Sequence, residues 1–424
     1  KLDKKIYMEA FFFLTMKRAL FALLEKILYF QGDNVKRFNF NDQWHAAPAH
    51  DKLMGPAKKI LPTMPPLRSK SNKPLAMTTD DVLNILVYYH LNEFSSGREL
   101  LQNLEEDEYA KRLIAPVGGV KRSTFFDTVN ERCVEQLLYV FCELQKQAAS
   151  LLPARHVELG TLVAVDGSFI DSVLSMTWAE YQKQNNKAKL HLGFDLTHGI
   201  PKSIVLTEGN GAERPQVSSL VQPGETTVSD RGYQDHERFD KWHEEGRHFI
   251  CRIKENTHMA VMEELPLAVN SPAYFDAKVI LGVASGKQTK TPVRVVGFKF
   301  DGVTYLIATD RFDLTTEQVM LAYKLRWNIE TFFGWWKKHL HVYHLFARSK
   351  NGMLVQILSG LITYLLLAIY CHETHGERVS IRRVRQLRLQ IQNEARQLPR
   401  DKAPQPRRQG KWQRGKRRKI YASS

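Results

Sequence analysis

The chain has 424 residues and 43% hydrophobic content, enough apolar material for two or three domains with real cores. Lysine and arginine outnumber aspartate and glutamate 61 to 45, and the formal net charge of +16 favours a polyanionic partner, nucleic acid or an anionic membrane surface. Cys133, Cys142, Cys251 and Cys371 are scattered with no CxxC pair, which argues against zinc fingers and a disulfide framework and fits a reducing cytoplasm.

In chain order, the stretch AFFFLTMKRALFALLEKILYF from Ala10 is broken by Lys17, Arg18, Glu25 and Lys26. It is too charged for a membrane span and has no small-residue cleavage site of a signal peptide. GPAKKILPTMPPLRSKSNKP, from Gly55, is rich in proline and lysine and reads as a linker, so residues 1–75 are expected to be an N-terminal segment and linker. Residues 76–150 read as helical. TTDDVLNILVYYHL has cap residues followed by apolar positions at helical spacing, and Ser96 with Glu99 is a candidate capping box. A break at Gly118-Gly119 precedes a helix near Ser123, opened by Lys121 and Arg122. Helix, break and basic helix suggest a helix-turn-helix that binds DNA ends through Lys121 and Arg122. A small helical bundle has the same elements.

From residue 160 the period changes. TLVAVDGS reads as an apolar strand ending in Asp166, AKLHLGFDL and PKSIVLTEG as two more joined by a short turn, and TTVSDRGY as a strand ending in Asp230. A helix near DHERFDKWHEEG and a strand HFICRIK complete residues 151–253 as a mixed sheet with helices. Residues 254–318 read as a β meander, an insertion that separates Asp230 from the next helix. That helix, YKLRWNIETFFGWWKKHL, brings Tyr323, Arg326, Glu330 and Lys337 to one stripe at about 100° per residue. Leu325, Phe332, Phe333 and Trp336 are expected to be buried. MLVQILSGLITYLLLAIYC, from Met353, is long enough to span a bilayer but carries Gln356, Ser359 and Thr363, and reads as a core helix closing residues 319–371. Residues 372–424 form a basic tail, expected to add salt-sensitive DNA affinity.

Three carboxylates from separate elements, Asp166, Asp230 and Glu330, have the chemistry to hold two Mg²⁺ ions about 4 Å apart. Carboxylates suit Mg²⁺ or Mn²⁺, and no His/Cys constellation indicates zinc. Arg326, Lys337 and Tyr323 would then grip phosphates beside the acids. Asp171, Asp195 and Asp310 are competing acids.

AVDGSFID, VSDRGY and the spacing Tyr323-x-x-Arg326-x-x-x-Glu330-x-x-x-x-x-x-Lys337 together resemble the insertion-sequence-four family of bacterial DDE transposases, over roughly residues 76 to 371. The resemblance implies an α/β, RNase H-like catalytic core of mixed sheet and flanking helices, interrupted by a β-rich insertion and preceded by a helical DNA-binding domain. It implies Asp166, Asp230 and Glu330 as the metal-binding acids, with Mg²⁺ or Mn²⁺ as cofactor. It implies Tyr323, Arg326 and Lys337 as contacts to the DNA end, and cut-and-paste transposition on double-stranded DNA by a cytoplasmic, nucleoid-associated homodimer. Well-studied relatives pass through a hairpin and stack a flipped base on an insertion-domain tryptophan. Residues 254–318 contain no tryptophan, so Phe298, Phe300, Tyr305, Phe312 or Trp242 would have to serve. A catalytically silent DNA-binding regulator and a nuclease of the same fold without strand transfer stay open as alternatives.

Overall fold

The computed structural model of the chain describes residues 48–67, 75–171, 176–182, 185–283, 286–340, 342 and 345–397. The apolar stretch from Ala10, His341, His344 and the basic tail beyond 397 lie outside the described residues.

Helix α1 spans Ala49–Ile60 and buries His50, Leu53, Met54, Pro56 and Ala57. Gly55 to Ile60 are therefore not linker: apolar residues at helical spacing pack into the core, which outweighs the local cost of Gly55 and Pro56. Helix α2, Thr79–Asn92, starts with a capping box between Thr78 and Asp81. Helix α3, Gly97–Glu106, is capped by Ser96, whose side chain accepts from the Glu99 amide. Helix α4, Arg122–Glu131, and helix α5, Val134–Leu151, complete this region. The expected helix-turn-helix does not form. Residues 107–121 separate α3 from α4, with a π turn at Ala110–Ile114 and Gly118 and Gly119 at positive φ. That is far longer than the three- or four-residue turn the motif needs.

Among the described residues the strands form one ten-stranded sheet. They are β1 (Leu162–Asp171), β2 (Glu180–Gln182), β3 (Asn185–Asp195), β4 (Ile200–Glu208), β5 (Thr226–Ser229) and β6 (His248–Ile253). A meander of β7 (Met259–Glu264), β8 (Ala273–Leu281), β9 (Val293–Phe300) and β10 (Val303–Thr309) follows. β4, β3 and β1 are antiparallel neighbours, whereas β5 pairs parallel to both β1 and β6. β10 then pairs antiparallel with β6, Leu306 opposite Ile253, so the meander extends the same sheet. Short helices α6 (Val217–Leu220) and α7 (His236–Glu244) lie in the crossovers around β5.

Alternation along β1 feeds two cores. Leu162, Ala164 and Ile170 join one, Val163 and Val165 the other. The first core also takes α2, α5 and the helices after the meander: α8 (Thr316–Leu325), α9 (Trp327–His339), α10 (Lys350–His375) and α11 (Ile381–Gln397). Residues 76–150 therefore share their core with α10, and the chain has no break in packing at 150/151. Helix α10 is long and apolar enough to cross a membrane, but 89% of its apolar window is buried inside the protein. It is packed as the expected core helix.

Candidate active site

Asp166 does not end its strand. It sits within β1 opposite Leu192, because pairing with β3 continues to Asp171 opposite Lys187. Its Oδ1 accepts the Gly167 amide at 2.8 Å. Burial pushes its carboxyl up to about 7; the Gly167 amide and Arg326 oppose this, and the charges of Asp230 and Glu330 add to it. Asp230 and Glu330 thus both lie within electrostatic reach of Asp166. Asp230 follows β5 directly, as expected. It caps the turn Arg231–Tyr233, with Oδ1 accepting the Gly232 amide at 2.9 Å.

The stripe Tyr323–Lys337 is carried by two helices. At Arg326, i→i+3 bonds (Arg326 N–H to Tyr323 O and Ile329 N–H to Arg326 O, both 3.1 Å) separate α8 from α9. Three of the four residues still converge. Arg326 donates from Nη2 to Glu330 Oε1 at 2.7 Å, and its guanidinium lies 5.8 Å from the centre of the Tyr323 ring. Lys337 Nζ donates to Ser168 Oγ at 2.5 Å and to Phe169 O at 2.6 Å, which fixes the end of α9 on β1. Burial brings its ammonium down to about 8, against the pull of Asp171 and Asp166. Phe332, Phe333 and Trp336 are buried as expected, and Leu325 is half-buried.

Hard carboxylate oxygens crowded by like charge fit a divalent cation. Among the described residues, no three His, Cys, Asp or Glu side chains are already gathered around one ion position. The geometry shows one reason: Glu330 is turned onto Arg326.

The competing acids have structural partners. Asp171 is exposed and 3.7 Å from Lys187. Asp195 accepts from the Thr197 and His198 amides and pairs with His198. Asp310 accepts from the Phe249 amide and lies 2.9 Å from His248 Nδ1. Of the candidate stacking aromatics, Trp242 and Phe298 are buried, and Tyr305 lies under Arg252, while Phe300 and Phe312 are exposed. Trp336 is in the core, Trp335 packs edge-on to Tyr364, and Trp327 is exposed. Lys121 caps α4 and, with Arg122, is exposed, away from the acids in sequence and on a different element.

Three side chains at the site went unassigned in the sequence. Glu213, in the loop after β4, pairs with Lys189 of β3 at 2.5 Å. Tyr233 ends the turn that Asp230 caps and is buried. Arg214 Nε donates to Gly232 O at 2.9 Å, bracing the same turn.

Residues 158–366, just under half of the chain, match the family described as the transposase DDE domain. The chain is similar to "Probable transposase for insertion sequence element IS5377" of Geobacillus stearothermophilus, 28% identical over 194 residues, 45% of this chain and 52% of that protein. It is also similar to a transposase assigned to insertion sequence element IS4SA of Synechocystis sp., 25% identical over 270 residues, 61% of this chain and 74% of that protein. The chain spans about half the length of the first of these relatives. The piggyBac transposase, solved in a synaptic complex with hairpin DNA, aligns over 85% of this chain and 80% of that one, at TM-score 0.41 and 12% identity.

Proposed function

We propose that the protein cuts DNA at the ends of an insertion sequence and joins the freed 3′-hydroxyls to target DNA. The observation that carries this reading is that Asp230 and Glu330 come within electrostatic reach of Asp166 from three separate elements, inside the region that matches the transposase DDE domain. The order of β4, β3, β1, β5 and β6, antiparallel and then parallel, supports an RNase H-like core for this chemistry.

Asp166, Asp230 and Glu330 would hold the divalent cations, Mg²⁺ or Mn²⁺. When bound, such ions supply positive charge that polarises the scissile phosphate and favours deprotonation of the attacking water or 3′-hydroxyl. The protein's own groups do the rest. Arg326 frees its guanidinium when Glu330 turns to a cation, and then has a bidentate donor for a phosphate of the DNA end. Tyr323 supports that guanidinium from its ring face. Lys337, anchored on Ser168 and Phe169, places a second cation beside Asp166. Lys121 and Arg122 are exposed at the start of α4, where phosphates further along the end would be met. Two ends must be paired before joining, so we propose a homodimer on DNA. Exposed Phe300 and Phe312 are the aromatics left to stack a flipped base if the cut strands pass through a hairpin.

The test uses labelled DNA carrying the element's own terminal repeats, with Mg²⁺ or Mn²⁺ and the wild type beside Glu330→Gln. Cleavage at the repeat and joined products are expected from the wild type, and end binding without cleavage from the variant. Binding by both without cleavage in either metal would leave a DNA-binding regulator. Cleavage without joined products would leave a nuclease.

A further inference from the structure

The cluster contains a carboxylate beyond the three-acid pattern. The head of Glu213 lies between the backbone segments that carry the two aspartates. A Cβ built on Gly167, next to Asp166, would stand 2.8 Å from Glu213 Oε1. One built on Gly232 would stand 3.7 Å from Glu213 Oε2 and 3.0 Å from Asp230 Oδ1. Glycine at 167 leaves the room this carboxylate occupies. Glu213 is held by Lys189 at 2.5 Å, much as Glu330 is held by Arg326 at 2.7 Å. Neither Asp166 nor Asp230 has an ion pair among the described residues.

A second observation points into the same space. Tyr233 is 1% exposed, and its hydroxyl has no hydrogen-bond partner among the described residues. Buried hydroxyls nearly always find one. Burial raises this phenol well above its ordinary range, and the charges of Glu213, then Asp166 and Asp230, add to it, with Arg326 opposing. A partnerless hydroxyl among three carboxylates fits a place that a hydrated cation fills.

We propose that Glu213 is a fourth carboxylate of the divalent-cation site, facing the ion together with Asp166 and Asp230, with the Tyr233 hydroxyl bonded to a water of its shell. Lys189 and Arg326 then act as placeholders. Each holds one acid until an ion enters, and each is released to meet phosphate when its acid turns. Charge favours four acids: two divalent ions bring four positive charges, which Asp166, Asp230, Glu330 and Glu213 match. The inference rests on the divalent-cation reading above and adds one ligand to it.

The test is calorimetric titration of the metal-free chain with Mn²⁺, without DNA, for the wild type, Glu213→Gln and Asp166→Asn, each checked by thermal melting. Glu213→Gln is expected to lose one bound ion or to bind at least tenfold more weakly. Should Glu213→Gln fail to fold because Lys189 is left unpaired, the double variant Glu213→Gln with Lys189→Met removes both charges, and the same weakening is expected of it. Wild-type stoichiometry and affinity in a folded Glu213 variant, with binding lost in Asp166→Asn, would overturn the role of Glu213 and leave the three-acid reading standing. Wild-type binding in Asp166→Asn as well would overturn both.

Discussion

Two acids on the same sheet, Asp276 buried and Asp166 half-buried, behave in opposite ways. Asp276, on β8, is completely met: Arg294 donates from Nε to Oδ1 at 2.9 Å and from Nη2 to Oδ2 at 2.6 Å, and Thr316 Oγ donates to Oδ2 at 2.7 Å. Arg294 also donates to Leu314 O, so this network ties β8 and β9 to the start of α8. Asp166, on β1, accepts a single backbone amide and has the Arg326 charge and two like charges in reach, with no ion pair of its own among the described residues. An acid whose lone pairs are all filled by its own protein has a structural task. One that is partly desolvated, crowded and incompletely met stores unfavourable energy that a cationic ligand can release.

Mutations test that contrast by sign as well as size. The largest effect is expected at the satisfied acid. Asp276→Asn leaves the Arg294 charge buried without its partner, and urea unfolding should show a loss of roughly 3–5 kcal/mol.

Asp166→Asn should move the other way. The folded carboxyl titrates at about 7, above its ordinary 3.8, so the native state holds this proton more tightly than the unfolded chain does. The wild type therefore loses stability as pH rises from about 4 to about 7. Without metal, the variant should exceed the wild type by on the order of 1–2 kcal/mol at pH 8 and match it near pH 4, in unfolding curves at the two pH values. A wild type as stable as the variant at pH 8 would erase the contrast.

Smaller effects sharpen the cationic side. The Lys337 ammonium titrates at about 8, so its charge is lost as pH rises through that value. Affinity for DNA ends should fall a few-fold from pH 7 to pH 9 in the wild type and hold in Lys337→Arg, as read by fluorescence anisotropy. The smallest change is expected at Lys121 and Arg122. Replacing either with alanine should lower the slope of log affinity against log salt by about one.

Asp276 gave no signal in the sequence, but much of the candidate site did, and the misses have physical causes. The apolar run before Asp230 marks a strand exit, and the strand does end there. The same reasoning misplaces Asp166 at a strand end, because a run of apolar residues cannot show that pairing with β3 carries Gly167, Ser168 and Phe169 onward. Tyr323, Arg326 and Glu330 meet as their spacing demands although the helix breaks at Arg326, while Lys337 reaches Ser168 and Phe169 of β1 instead. Glu213 gave no periodic signal. It stands in a loop, and its position depends on the missing side chain of Gly167 on another strand, which no local pattern encodes. The proline-rich stretch from Gly55 reads as a linker by composition, yet Leu53, Met54 and Ala57 find a core in helices far along the chain.

The most direct measurement is the melting temperature of the wild type and Asp166→Asn at pH 8, with and without Mn²⁺. If the acids form a divalent-cation site, Mn²⁺ raises the wild type by several degrees and leaves the variant unchanged, because only the wild type has the crowded charge to neutralise. Equal stabilisation of both proteins, or of neither, would contradict a cation site at Asp166.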